Sequence, residues 1–235
     1  MMRTIGTATV LAAAVLLAQA WAATGDSPAT PAAPSATEIH VTFDDVAAGS
    51  PLKGWRADAT NPQGSLAEWQ VVADPAAPTK PNVLSITKIQ DASGGVFNLF
   101  WTKDIPFKDG MIEVKVRANT GWMDQGGGLM WRVVDAKNYY VARGNPMESN
   151  FRLYVVKDGV RKQLAGAENL GIKTGEWFTM RIVHRGDQIE GYLNGKKLLD
   201  AADKTFADAG GVGFWTKADA ASSFDDLVVQ PAAVK

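Results

Sequence analysis

The stretch Gly126–Tyr154, GGGLMWRVVDAKNYYVARGNPMESNFRLY, holds the densest run of hydrogen-bonding side chains in the sequence. It contains Trp131, Arg132, Asn138, Tyr139, Tyr140, Arg143, Asn145, Glu148, Asn150 and Arg152. Such a set suits a sugar. Aromatic rings stack on the C–H face of a pyranose, while forked Arg, Asn and Glu groups meet paired hydroxyls. The candidate ligand-binding residues are Trp131, Arg132, Tyr140, Arg143, Asn145, Glu148, Asn150 and Arg152. Glu148, in the polar loop Gly144–Asn150, is the candidate acid. Glycoside hydrolysis normally uses two carboxylates about 5–9 Å apart. Asp124 and Asp135 are the nearest possible partners in sequence, and no Glu-x-Asp-x-x-Glu run aligns acids on one strand face. A lone Glu among amides reads first as a hydrogen-bond acceptor. Carbohydrate binding is therefore expected ahead of catalysis. A glycoside hydrolase or lyase using Glu148 with Arg and Tyr support is one alternative, and an envelope module that binds protein is another.

Composition removes other chemistries. Among 235 residues there is no Cys and there are two His, at 40 and 184. Disulfides, thiolate metal sites and multi-histidine metal sites are excluded. His184 closes the run Arg181–Arg185 beside a turn and reads as structural. No Gly-x-Ser-x-Gly elbow occurs, and Gly126–Gly128 precedes a strand rather than a phosphate-binding helix. The 24 Lys and Arg against 25 Asp and Glu leave no basic excess for nucleic acid.

The elements that must carry these residues alternate with period two. Strands are expected at Ile39–Phe43, Glu68–Val72, Val83–Ile86, Val96–Trp101, Met111–Ala118, Leu129–Val134, Tyr139–Arg143, Phe151–Val156, Trp177–His184, Gln188–Leu193, Gly211–Thr216 and Phe224–Val229. Asp158-Gly159 and Asn194-Gly195 are hairpin turns, because Asn, Asp and Gly accept positive φ. One short helical turn is expected near Ala201–Phe206. The pattern predicts an all-β chain, an antiparallel β-sandwich or jelly roll of two curved sheets. The facing of the strands in 126–154 stays open. If Leu129, Trp131 and Val133 face the core, Arg132 faces the opposite surface.

Residues 1–23 read as a signal peptide, with Arg3, an apolar run Ala8–Ala18 and small-x-small cleavage sites. Residues 24–37 read as a Pro/Ala/Thr-rich linker. One domain follows over 38–230, with a disordered tail at 231–235. A periplasmic or secreted bacterial protein is expected, monomeric and with no membrane span after signal cleavage. Acidic pairs lie at both ends of the domain, Asp44-Asp45 and Asp225-Asp226. First and last strands of a sandwich often lie adjacent, which could gather these carboxylates around a hard cation such as Ca²⁺.

The segments GGLMWRVVDAKNYYVARGNPMESNFRLYVVKDG, EWFTMRIVHRGDQIEGYLNGKKLLD and GGVGFWTKADAASSFDDLVV, taken in order, resemble the concanavalin A-like lectin/glucanase jelly roll. Within it they look like exported bacterial 3-keto-disaccharide hydrolase-like and laminin-G-like domains. The resemblance spans about residues 41–230. It implies a ligand groove on the concave sheet and a carbohydrate ligand. It also implies a structural calcium at Asp45 and Asp226, with Asp44 and Asp225 as the alternatives. The acids of the family 16 glucanases have no counterpart here.

Overall fold

Alternating apolar and polar residues give strands with one face to bury, and two such sheets bury them against each other. The computed structural model describes Met1 and residues 37–89 and 93–233. Its fifteen strands are β1 (Ile39–Val41), β2 (Arg56–Thr60), β3 (Glu68–Ala73), β4 (Asn82–Lys88), β5 (Phe97–Phe107), β6 (Gly110–Thr120), β7 (Gly127–Asp135), β8 (Asn138–Asn145), β9 (Asn150–Lys157), β10 (Val160–Ala167), β11 (Trp177–Arg185), β12 (Gln188–Leu193), β13 (Lys196–Ala202), β14 (Gly210–Lys217) and β15 (Ala221–Pro231). One sheet runs β13-β12-β11-β6-β15-β4-β3 with β1 beside β15, and the other β10-β9-β8-β7-β14-β5-β2. All pairings are antiparallel. The two sheets make the expected all-β sandwich.

Every strand expected from the sequence is present. β2, β10 and β13 were not anticipated. Val160–Ala167 and Lys196–Ala202 are largely unburied edge strands whose alternation is weak, and β2 is a five-residue edge strand. The expected helical turn near Ala201–Phe206 is absent. Ala201 and Ala202 end β13, and the Asp203 carboxylate accepts the Thr205 N–H at 2.8 Å, a side-chain turn instead of a helix. The disordered tail expected from 231 does not begin there. Pro231 ends β15, and the Ala232 N–H donates to the Asp109 carbonyl at 2.8 Å. The signal and linker fall outside the described residues, apart from Met1 and Thr37. No helix among the described residues is long and apolar enough to cross a membrane.

The Asp158-Gly159 and Asn194-Gly195 turns have positive φ at both positions, as the hairpins require. Between the sheets lies the main core, including Val114, Val116, Leu129, Trp131, Tyr140, Leu153, Phe214 and Phe224. The seven-stranded sheet carries a second apolar cluster on its other face: Phe97, Leu99, Trp101, Met130, Val133, Tyr139, Val141, Tyr154, Val156 and Trp215. All ten belong to that one sheet.

The right-handed twist accumulated over seven strands brings diagonal corners of this sheet together. At the end of β2, Thr60 Oγ1 donates to the Ala136 carbonyl in the β7–β8 turn at 2.6 Å. Asn61 Nδ2 reaches the Gly159 carbonyl in the β9–β10 turn at 3.0 Å. Beneath, Trp215 Nε1 donates to the Tyr139 hydroxyl at 3.2 Å, and that hydroxyl donates onward to Thr60 Oγ1 at 2.8 Å. The sheet thus curls over its own outer face. Burial there raises the Tyr139 phenol well above its usual value, so it stays a donor.

Candidate functional site

On β8 and β9 the outward positions are Tyr139, Val141, Arg143 and Asn145, facing Asn150, Arg152, Tyr154 and Val156. Register pairs Arg143 with Arg152 and Asn145 with Asn150. The tight turn Pro146–Ser149, with Ser149 at φ +50°, returns the chain so that Glu148 lies over this end. The Glu148 N–H donates to Asn145 Oδ1 at 3.0 Å, which fixes the turn.

Arg143 is the centre of the cluster and is 2% exposed. Its Nη2 donates to Glu148 Oε2 at 2.7 Å and to Asn150 Oδ1 at 3.0 Å. Its Nη1 reaches Asp124 Oδ1 at 3.4 Å. Asp124 also accepts Asn145 Nδ2 at 2.8 Å and Lys217 Nζ at 2.8 Å. Asn150 Nδ2 donates to Glu148 Oε2 at 2.9 Å, and Arg152 approaches the same oxygen at 3.4 Å. Asp124 is set in place by its own loop. The Asp219 carboxylate accepts the backbone N–H groups of Trp122, Met123 and Asp124 at 2.6–3.0 Å.

The two acids differ. Asp124 is enclosed, whereas the Glu148 side chain is 41% exposed. Burial alone would raise the Glu148 carboxyl. The Asn150 amide, Arg143 and Arg152 outweigh that and hold it below the usual carboxylate value. Glu148 is therefore ionised at neutral pH. It can accept a hydrogen bond or a proton, but it has none to give as a general acid.

Aromatic rings continue the face. Arg161 on β10 lies over the Tyr154, Phe97 and Trp215 rings at 4.4, 5.0 and 5.6 Å. Arg56 lies over Trp101 at 3.9 Å. Beside Trp101, a cleft of about 340 Å³ is lined by Arg56, Asp58, Trp101, Asp135, Ala136 and Lys137.

Of the eight candidate ligand-binding residues, the fold gathers five: Arg143, Asn145, Glu148, Asn150 and Arg152. The other three lie elsewhere. Trp131 and Tyr140 face inward and stack in the main core at 5.7 Å. Trp131 Nε1 donates to His184 Nδ1 at 2.9 Å, and the Tyr140 hydroxyl donates to Asp203 at 2.6 Å. Burial, then the Asp203 hydrogen bond, raises Tyr140 to about 12. Burial, then Arg132, lowers His184 to about 4, so it is a neutral structural acceptor as expected. Arg132 is also corrected. It does not face the outer surface, because it sits at φ +46° in a bulge that breaks the alternation of β7. Its guanidinium is 1% exposed and holds the Lys108, Phe206 and Gly186 carbonyls and Asp109. After the bulge Val133 points outward, into the second cluster.

Asp124, Lys217 and Arg161 complete the site from three separate strands or loops. Only Asp124 had a signal in sequence, as an acid near Glu148. Asp135, the other named acid, caps its own turn by accepting the Lys137 N–H at 2.7 Å and the Asn138 amide at 3.0 Å.

The acidic pairs do approach, because β1 pairs with β15. Their oxygens already have partners. Asp226 accepts the Thr79 hydroxyl and Lys115 Nζ, the latter at 2.7 Å. Asp225 accepts the Thr79 N–H at 2.9 Å, and Asp44 accepts the Asn82 N–H at 2.9 Å. Asp45 is exposed and makes none of these contacts. Burial, against the Thr79 and Asp226 N–H groups, raises Asp225 to about 6. Among the described residues no group of three or more His, Asp or Glu could hold a metal. A lysine ammonium stands at Asp226 where calcium was expected, and these residues do not fit that ion.

The family model of the 3-keto-alpha-glucoside-1,2-lyase-like domain matches residues 39–229. No functionally curated protein matches the sequence. Among solved structures, the chain is similar to the carbohydrate binding module CBM66 from Bacillus subtilis. That match has 19% identity and a TM-score of 0.57, covering 74% of this chain and 93% of the module. It is also similar to the cellulose induced protein Cip1, at 14% identity and TM-score 0.56 over 84% and 100% of the two chains. The Bacillus licheniformis beta-glucanase aligns at 10% identity and TM-score 0.54 over 82% and 97%. At these identities the likeness is one of fold.

Proposed function

The chain belongs to the 3-keto-alpha-glucoside-1,2-lyase-like family, and from that membership and the site's geometry we propose that it binds carbohydrate on the outer face of the seven-stranded sheet. The observation that carries this reading is the Arg143 cluster. A buried guanidinium, two amides and two carboxylates present fixed donors and acceptors side by side, next to Tyr154 and Trp215. Vicinal hydroxyls need such alternating partners. The carbohydrate-binding module among its structural neighbours supports the reading. The N-terminal pattern supports export, where polysaccharide is met. N-terminal sequencing of the mature protein is the check on that point, with cleavage after Ala20 or Ala22 expected.

Calorimetric titration with a panel of mono- and oligosaccharides tests binding. Glu148→Gln places an NH₂ against Arg143 and should weaken any affinity found by about tenfold. Retained affinity would remove Glu148 from the site, and no binding across a broad panel would overturn the proposal.

A second reading is a lyase on a keto-glycoside, in line with the family's description. It is favoured by ionised Glu148 lying 2.7 Å from Arg143. Glu148 would take the proton from the carbon beside the ketone. Arg143 would steady the enolate oxygen, and the electron pair would then expel the group on the neighbouring carbon. Release of that group from a 3-keto-glucoside, lost in Glu148→Gln, is the assay. The depressed Glu148 makes it a weak base, which places binding first.

A further inference from the structure

Among the described residues, charge pairing around the cluster leaves one cation over. Asp124 is taken by Arg143 and Lys217, Glu148 by Arg143 and Arg152, and Glu168 by Arg152. Among the described residues no carboxylate pairs with Arg161; its head lies over aromatic rings, and Asp124 acts on it only at longer range. Its Nη1 is buried with no hydrogen-bond partner. The same holds for Nε of Arg143, a side chain otherwise fully engaged and 2% exposed. Two unsatisfied guanidinium donors on one sheet face are costly to bury, and each raises the worth of an incoming acceptor.

The two heads are near neighbours. Arg161 lies over Trp215, and Trp215 and Arg143 are both register partners of Gly128. Glycine puts no side chain between them. Burial, and then the positive charge of Arg143, lowers Arg161 against the pull of Tyr154 and Asp124.

We propose that the site takes an acidic sugar, whose carboxylate is bound by Arg161 and the free Nε of Arg143 while its hydroxyls meet Glu148 and Asn150. This rests on the carbohydrate reading and narrows it to uronic-acid-containing glycans. A carboxylate is planar and accepts two parallel N–H bonds, which matches a guanidinium edge. It would also neutralise the surplus charge in the cluster.

The test compares digalacturonate with neutral galactobiose by calorimetry on the full chain. The acidic disaccharide should bind about tenfold or more tightly, with a preference that shrinks as salt is raised. Arg161→Met keeps an apolar stem over the rings and removes the charge, so it should abolish the preference, read as the ratio of the two affinities in the same variant. Arg161→Lys, which keeps the charge, should retain part of it. Equal affinity for the two disaccharides, or a preference that survives Arg161→Met, overturns the proposal and leaves the carbohydrate reading standing. If neither disaccharide binds but propionate shifts the Arg143 and Arg161 side-chain NMR signals, the anion site stands and the carbohydrate reading falls. If none of the three probes binds, both fall.

Discussion

The two faces of the seven-stranded sheet are built from alternate residues of the same strands, yet they solve different problems. Against the inner face Trp131 and Tyr140 stack with His184 edge-on to both, and Trp131 Nε1, His184 Nδ1 and the Tyr140 hydroxyl each have a fixed partner, while His184 Nε2 is shut in without one. On the outer face Trp215, Tyr154 and Trp101 lie under guanidinium heads, and two guanidinium donors have no acceptor. The inner face is closed by a second sheet, which shuts the unpaired His184 Nε2 away from any ligand. The outer face is closed only in part, by the sheet's own twist, and is left with hydrogen-bonding capacity to offer. Function is to be sought where the polar pairing is unfinished.

The largest effect that would test this contrast is on the inner side. Trp131→Ala should cost about 3–5 kcal/mol in chemical denaturation, since it empties core volume and strands His184 Nδ1. It should leave the site's residues in place. Arg143→Met should cost about 3 kcal/mol, because enclosed Asp124 keeps only Lys217 and Asn145. Unlike the core variant, it should abolish ligand binding. Adding Asp124→Asn to Arg143→Met should recover part of the stability but none of the binding. If the double variant is no more stable than the single, Asp124 is not held by Arg143.

Titration separates regions more gently. His184 is lowered to about 4 from 6.5, so its contribution is present above about pH 6.5 and is lost as pH falls toward 4. Asp225 is raised to about 6, so the fold gains from it as pH falls through 6. The two oppose each other between pH 4 and 6. His184→Gln should flatten the acid loss by about 3 kcal/mol between pH 7 and 4, measured as the difference in unfolding free energy. Asp225→Asn should make acidification more damaging than in the parent protein. The smallest effect is expected at Trp122, 87% exposed in the loop clamped by Asp219. Trp122→Ala should change stability by less than about 0.5 kcal/mol.

The strands and hairpins were legible in the sequence because both signals are local. Met111–Ala118 alternates without interruption, and Asp-Gly and Asn-Gly need no distant partner to favour their turns. The edge strands β2, β10 and β13 were not legible, since an edge strand with few buried positions has little periodicity to read. Within the site, Arg143, Asn145, Glu148, Asn150 and Arg152 were legible as a group, because one hairpin carries them all. Asp124, Lys217 and Arg161 come from elsewhere in the chain, and only strand pairing places them alongside. Trp131 and Tyr140 carried the right chemistry on the wrong face.

By itself the sequence determined an all-β chain with a polar and aromatic hairpin near its middle, no cysteine chemistry and no multi-histidine metal site. Composition and period-two alternation are sums over near neighbours, and they need no knowledge of the fold. Only the tertiary structure decided which side of that hairpin faces the core and which carries the Arg143 cluster. One residue at positive φ, Arg132, breaks the alternation of β7, so Trp131 before it faces the core while Val133 after it faces out. In a strand the facing of every side chain depends on register, and a single bulge reverses it for all that follows.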